Sequence, residues 1–563
     1  MPTEEFDYVI VGAGSAGAVL AGRLSENPGK RVLLLEAGPD SPPGEEPPEI
    51  RDTYYSAFFK PEFFWPDLRV HFREAPDRAD PGRRYEQGRI VGGGSAVNAM
   101  IALRGLPGDF EEWVAAGATG WSWDDVLPHY RKLESDLDFH GERHGTAGPI
   151  AIRRHRRDEW PGFCQAVARH LESRGWAFVD DMNGPPANGV CRVPISSTPA
   201  QRISAAMGYL TREVRARPNF VLQPDCYVEK ILFEGSRAVG VSVRAATGSH
   251  LVKGREIIVS AGALHSPAVL MRSGIGPAED LKKLGLEVIA DLPAVGGNLQ
   301  DHPAVSVGCH LKGVGRQPRA LRAAPNAALR YDSGLPGCAR HDMYVSVTNK
   351  ASWHALGGQL GALVACVYKP YSLGRVSLAS ADPMSEPHVN FNLLSDPRDL
   401  LRLAAAVRLA REVYAAPELR AVTNEIFLTS YSERIRALNR ISLANRVRAG
   451  AAAVAMDGPG ALRSWLVRNV ITPGPSIDDI LAGDEALHAW LRERATAFYH
   501  PVGTCRMGAK EDANAVVDAD CRVRKVAQLR VIDASIMPTI PRANTNLTTI
   551  MIAERMSERL AAA

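Results

Sequence analysis

Two glycine-rich stretches of this 563-residue chain have the residue types and spacing for ligand chemistry. The first, Gly12-Ala-Gly14-Ser15-Ala16-Gly17, has the GxGxxG spacing in which glycines allow a tight turn and bring backbone N–H groups against a pyrophosphate at a helix N-terminus. Glu36 stands 22 positions beyond Gly14, where a carboxylate can accept hydrogen bonds from ribose hydroxyls. This pattern suits NAD as well as FAD. The second stretch runs Gly88-Arg-Ile-Val-Gly92-Gly93-Gly94-Ser95-Ala96-Val97-Asn98. Three consecutive glycines let the backbone lie against a ligand without side-chain interference, although a flexible loop would use the same residues. His140 and His144 have the four-residue spacing that binds metal on a helix, but Gly141 and Gly145 give the segment a loop character, and no metal is expected. Arg153-Arg-His-Arg-Arg157, followed by Asp158 and Glu159, reads as a solvated face.

The elements that must position these groups follow from hydrophobic patterning. Residues 8–11 form a β-branched and aromatic run, residues 15–25 an Ala/Leu-rich helical stretch, and residues 31–35 a second apolar run ending at Glu36, so a β-turn-α-β unit is predicted. Residues 39–81 are rich in proline and aromatic rings without a clean period, which reads as a long, lid-like loop at about 40–80. A buried-type strand at 257–262 leads into an apolar helix, and the segment 293–303 is rich in turn formers. Between about 305 and 490 strand-like and helical pieces alternate in a different texture, marking another domain. The last 65 residues return to the first style, with a strand at 529–532 and a long apolar helix from about Leu547.

Composition bounds the function. Hydrophobic residues at 45% and charged residues at 23% are those of a globular protein with a sizeable core, which excludes disorder and fibres. A formal charge of +3 is too small to steer nucleic acid or an anionic membrane by itself, so a small-molecule partner is expected. The eight cysteines show no CxxC pair, and acidic residues occupy the place of a signal peptide's basic region. The longest charge-free run near the start is too short to span a bilayer. A cytoplasmic location without a membrane span is the resulting expectation. One local excess stands out, since residues 434–468 hold seven arginines and a single acid, Asp457. That stretch reads as an exposed helix, a cover over the active-site entrance, or a contact for a subunit or anionic partner.

Taken together, the GAGSAG turn with Glu36, GRIVGGGSAVN at 88–98, GALHSPAVLMRSGIGP at 262–277, and YHPVGTCRMG at 499–508 with DASIMPTIPRANTN at 533–546 resemble the glucose-methanol-choline (GMC) family of FAD-dependent oxidoreductases. The resemblance runs from about residue 6 to the C-terminus and favours FAD over NAD. FFWP at 63–66, YEQGR at 85–89 and NLLSDPRDL at 392–400 are most similar to the family's bacterial furfuryl and aryl alcohol oxidases. The implied fold is α/β: a discontinuous Rossmann-like FAD-binding domain (1–158, 201–308 and 493–563) and an α+β substrate domain (159–200 and 309–492) whose antiparallel sheet lies over the flavin.

The resemblance also implies roles. His500 and, 44 positions later, Asn544 become the catalytic pair: the imidazole accepts the substrate's hydroxyl proton and the amide holds its oxygen. Cofactor contacts carry over to Gly12, Gly14, Ser15, Ala16, Gly17, Glu36, Ala37, Trp65, Gly92, Gly93, Ser95, Asn98, Ala99, Val228 through its backbone, Asp533, Ala534, Thr545 and Asn546. The helix opened by Asn544-Thr545-Asn546 would aim its positive end at the flavin edge where negative charge grows. Val97 stands where some relatives have the histidine that tethers flavin, so FAD should be held non-covalently. Thr548 stands where proline is common, although proline suits a first helical turn without being obligatory there, and Arg542 stands where a small or polar residue is common, which suggests an altered substrate or acceptor entrance. The implied reaction oxidises a primary, aromatic or furanic alcohol to the aldehyde, with onward oxidation of the hydrate to the acid and electrons passing to oxygen or a quinone-type acceptor. Choline-like or aliphatic alcohols, an FAD-containing hydroxynitrile lyase and a non-enzymatic flavin-stabilised interaction protein are the alternatives.

Overall fold

The computed structural model describes residues 5–74, 80–318, 320–323, 325–429, 432–472 and 474–562. The apolar run near the start is the strand Glu5–Val11, buried over most of its length, and the Ala/Leu-rich stretch is the helix Ser15–Leu24. Strands this uniformly apolar belong inside a parallel sheet covered on both faces. Accordingly, Phe220–Gln223, Val32–Leu35, Glu5–Val11 and the second half of Gly248–Val259 lie side by side in parallel, and Leu529–Val531 extends the same order. The first half of Gly248–Val259 instead pairs antiparallel with Arg237–Ala245, which pairs in turn with Tyr227–Glu234. The final helix, Thr545–Ala561, is buried along nearly its whole length and packs on Ser15–Leu24 and on Trp123–Leu133. One sheet is therefore built from the beginning, middle and end of the chain.

The second sheet orders Thr423–Leu428, Pro303–Leu311, Leu360–Val367, Met343–Thr348, Ala327–Tyr331 and Gly189–Arg192, all mutually antiparallel. The strand Pro303–Leu311 of the second sheet runs through the expected domain boundary at 308, and Thr496–Ala497, expected in the FAD-binding domain, pairs with its start. The helix Pro397–Ala415 covers one face. Ala304, Ser306 and Val364 reach the large cavity described below.

The proline- and aromatic-rich stretch forms short ordered pieces: the helix Pro48–Arg51, the turns Ser56–Phe59 and Pro61–Phe63, and the strand Arg69–His71. Phe59, Phe63 and Phe64 are buried, whereas Tyr55 and Phe58 face the cavity, so the rings divide between local core and cavity wall. Residues 75–79 of the stretch lie outside the described residues.

The basic run departs from the expected solvated face. In Arg153–Arg157 the side chains of Arg154 and His155 are buried, because Arg154 pairs with Asp136 and Asp181. His144 lies in the same cluster, with Nε2 2.9 Å from Asp181 and Nδ1 3.2 and 3.1 Å from Glu134 and Asp136. Burial alone would lower its pKa, but hydrogen bonds to Asp136, Asp181 and Glu134 raise it to about 10. His144 is thus part of an ion-pair network in which Arg104 and Arg154 are the other cations. His140 lies apart, exposed in the loop.

Candidate active site

A cavity of about 800 Å³ runs between the two sheets. This is in the upper part of the range for small-ligand sites, about 300–1,000 Å³. Gly12, Gly14, Ser15, Ala16, Glu36 and Ala37 line it, together with Gly93, Val97, Asn98 and Ala99 and with His500, Asn544, Thr545 and Asn546. Trp65, Val228, Asp533 and Ala534 also contribute. Of the residues expected from sequence, Gly17, Gly92 and Ser95 do not line it; they shape the turns behind the wall. A Cβ on Gly17 would sit 1.9 Å from the Gly12 carbonyl oxygen. Gly92 holds φ +97°, and the Ser95 hydroxyl donates to the Gly92 carbonyl at 2.6 Å and accepts from the Ala205 N–H.

The nucleotide end fits a dinucleotide. Gly93, at φ +50°, approaches Gly14 so closely that a Cβ would lie 2.7 Å from the Gly14 Cα, while a Cβ on Gly94 would meet nothing within 4 Å. Backbone alone therefore forms this part of the cradle, as close approach to a pyrophosphate requires. Glu36 Oε2 accepts from the Ala13 N–H at 2.8 Å and Oε1 from the Gly38 N–H at 2.9 Å. Burial pushes its pKa up to about 7 against these hydrogen bonds. Asp533 spends its carboxylate on the N–H of Gly262 and the hydroxyls of Ser266 and Ser535, fixing the start of the helix Gly262–Arg272. Ser15 Oγ donates to Asn546 Oδ1 at 2.7 Å, tying the first helix to the last.

On the same cavity wall His500 and Asn544 meet: Asn544 Nδ2 is 3.0 Å from His500 Nε2. The proton positions follow from their partners. The Pro541 carbonyl can only accept, so His302 Nε2, 3.1 Å away, donates to it. Neutral His302 then offers a lone pair at Nδ1, and His500 Nδ1–H donates to it across 2.9 Å. His500 Nε2 is left unprotonated and accepts from Asn544 Nδ2–H, while Asn544 Oδ1 accepts from the Tyr368 hydroxyl at 3.1 Å. Burial lowers the His500 pKa to about 3, so the ring is neutral at physiological pH. Burial, followed by the neighbouring His500, lowers that of His302 still more clearly below the usual histidine value.

Asp301 sets the backbone beneath this chain. Its Oδ1 accepts from the N–H groups of His302 and Phe498, and its Oδ2 from the His500 N–H at 2.9 Å and the Tyr85 hydroxyl at 3.3 Å. Tyr499, immediately before His500, holds φ +63°, a conformation costing on the order of 1–3 kcal/mol for a bulky residue. Its hydroxyl donates to Glu86 at 2.7 Å. Asn544 precedes the helix Thr545–Ala561 but makes no side-chain cap, leaving its amide to His500 and Tyr368. The sequence assigned no role to Asp301, His302, Tyr368 or Tyr85; its signals were the turn-rich segment that contains Asp301 and His302 and the YEQGR motif that begins at Tyr85.

The suspicion attached to Arg542 is corrected. Its side chain is buried away from the cavity wall, pairs with Asp109 at 2.8 Å and donates to the Arg340 carbonyl, so it anchors the loop before Asn544 rather than shaping an entrance. Thr548 accepts or donates a 2.7 Å hydrogen bond with the Tyr130 hydroxyl, a contact that proline could not make.

A dinucleotide cradle and a buried proton acceptor on the wall of one cavity fit a redox enzyme of the dinucleotide-dependent class. Family comparison agrees: residues 6–304 and 370–553 match the two models of the GMC oxidoreductases. The chain is 40% identical to a 5-(hydroxymethyl)furfural oxidase from Methylovorus sp., over 99% of this chain and 98% of that protein. It is 33% identical to an alcohol dehydrogenase [acceptor] from Pseudomonas putida, over 98% and 95% of the two chains. Pyridoxine 4-oxidase from Mesorbium loti superposes with a TM-score of 0.82 at 26% identity, covering 99% of this chain and 100% of that one. The chain belongs to the GMC oxidoreductase family and is an FAD-dependent enzyme acting on CH–OH groups.

Proposed function

We propose that this enzyme oxidises primary aromatic or furanic alcohols to aldehydes, with His500 Nε2 taking the hydroxyl proton and Asn544 Nδ2 holding the substrate oxygen. The observation that carries the reading is the hydrogen-bond chain from Pro541 through His302, which leaves His500 Nε2 with its lone pair directed at Asn544. An alcohol hydroxyl that displaced this direct hydrogen bond would donate to His500 while accepting from Asn544, so a single position would serve both proton transfer and orientation. FAD, when bound, supplies the acceptor for the hydride. Gly12, Gly14, Ser15, Glu36, Gly93 and Asn98 would hold it, and Thr545 and Asn546, at the positive end of the last helix, would face its ring. Val97 lines the cavity and offers no nucleophile, which supports non-covalent binding. The division into a three-segment FAD domain and a two-segment substrate domain belongs to the same reading.

Substrate class is argued from the wall and from the furfural-oxidase relative. Tyr55, Phe58, Phe72 and Tyr499 offer ring faces, and Arg83, Arg436 and Arg494 stand on the same cavity wall. An aldehyde hydrate presents the same hydroxyl to His500 and would be oxidised onward to the acid. Oxygen or a quinone-type compound would then take the electrons.

Anaerobic mixing with a panel of alcohols tests the reading. Furfuryl and benzyl alcohols should bleach the yellow flavin faster than choline or aliphatic alcohols, and oxygen or a quinone should restore the colour. Absence of bleaching with any alcohol, together with cyanohydrin cleavage, would establish a lyase instead. Acid precipitation should release the flavin into the supernatant; flavin remaining on the protein would overturn non-covalent binding.

A further inference from the structure

Apart from Arg436, the arginine-rich stretch does not line the cavity, and its surface is unusual. Its central helix, Leu443–Met456, is apolar on two opposite faces. One face packs Ala449, Ala453 and Met456 against Leu356 and Phe427. On the other, Leu443, Val447 and Val454 are 76%, 65% and 76% exposed. With Gly450 and Ala451 between them, these positions follow the i, i+4, i+7, i+8, i+11 spacing of a single helical stripe. By helical geometry Arg446 lies about 90° to one side of the stripe's midline and Arg448 about 110° to the other. The next helix, Gly460–Leu466, adds exposed Leu462 and Trp465. Among the described residues, five of the thirteen exposed large hydrophobic side chains fall within 443–465, so the concentration is local.

The charges match this pattern. Arg436 pairs with Glu86 and Arg463 with Glu425, while Asp457, the one acid of the stretch, pairs with Arg316. Arg434, Arg440, Arg446, Arg448 and Arg468 are exposed, and no ion pair joins them to a carboxylate of the described residues. A solvent-facing apolar stripe flanked by uncompensated guanidiniums has the design of a helix lying in a membrane interface, apolar side chains among the acyl chains and arginines at the headgroups.

We propose that residues 434–468 form a docking surface for an anionic lipid bilayer. A second copy of the chain fits less well, because a two-fold contact through the same patch would set arginines against arginines. Among the described residues no helix is long and apolar enough to cross a membrane, so the contact is one of lying on the surface. It also adjoins the site: Ser432 and Glu433, just before the stretch, and Arg436 within it line the cavity. An apolar alcohol or electron acceptor dissolved in the bilayer would then reach the cavity beside the docked face.

The test uses the holoenzyme and sedimentation with vesicles of phosphatidylcholine and phosphatidylglycerol (about 3:1), or of phosphatidylcholine alone. The expected result is co-sedimentation with the anionic vesicles, weakened by salt, and none with the neutral ones. Replacing Arg446 and Arg448 together by glutamine should lower partitioning about thirtyfold, at roughly fivefold per arginine near the surface. Val447→Ser with Val454→Ser should weaken it severalfold without a change in charge. Both variants should retain wild-type turnover of a water-soluble alcohol, which shows that they are folded. Failure of the wild type to sediment with anionic vesicles, equal binding to neutral ones, or unchanged binding by both variants would overturn the proposal. A solution dimer that Val447→Ser dissociates would do so as well, by identifying a second copy as the occupant.

Discussion

Replacing His302 with phenylalanine isolates its effect on the proton acceptor. The ring stacks on Tyr368 with centroids 4.6 Å apart, and phenylalanine preserves that stack while removing both nitrogens. His500 Nδ1–H then loses its acceptor in a fully buried setting, where an unsatisfied donor costs about 1–3 kcal/mol. The alternative tautomer escapes this cost by moving the proton to Nε2, where it blocks the lone pair that must accept the substrate proton. The competent fraction should therefore fall by about 5- to 150-fold. His302 does not line the cavity, so the loss should appear in the rate of anaerobic flavin reduction at saturating alcohol and leave KM nearly unchanged. His302→Gln, which offers a carbonyl oxygen to His500, should recover much of the rate. Wild-type reduction by His302→Phe, or a glutamine variant no better than the phenylalanine one, would refute the tautomer argument.

Further expectations follow from the same geometry. His500→Ala should keep its flavin, seen in the absorbance spectrum, yet reduce it about 10²- to 10⁴-fold more slowly; near-normal turnover would remove His500 from the mechanism. Gly93→Ala should purify with little flavin, because its Cβ would lie 2.7 Å from the Gly14 Cα at φ +50°, and an ordinary flavin-to-protein ratio would contradict the close-packed cradle. His500, with its pKa lowered to about 3, should not limit flavin reduction between pH 5 and 8. Asp301, pushed up to about 7 by burial, gains a proton as pH falls through that value and stops accepting all of its backbone N–H groups. Reduction should thus slow below about pH 7 in the wild type, and Asp301→Asn should abolish that midpoint; its persistence would point to another group.

By itself the sequence determined the elements whose signals are local. The strand, turn and helix of 5–24 were legible because alternation of apolar runs with GxGxxG is contained in a few residues, and Glu36 because it ends the next strand. The His500–Asn544 pair was legible only through motif resemblance, since nothing in 44 residues of separation indicates a 3.0 Å contact. Tertiary structure decided what depends on distant partners. His302 is separated by 198 positions from His500 and Tyr368 by 176 from Asn544, yet these hydrogen bonds fix which nitrogen carries the proton. Arg542 was misread because its partner Asp109 comes from the first part of the chain, and a charge beside a catalytic motif looks functional until that partner is known. The arginine-rich stretch shows the converse: its composition revealed the excess charge, but only the burial of Ala449, Ala453 and Met456 shows that the helix's second apolar face is turned to solvent. Periodicity identifies a stripe; the packing of the opposite face decides which way it points.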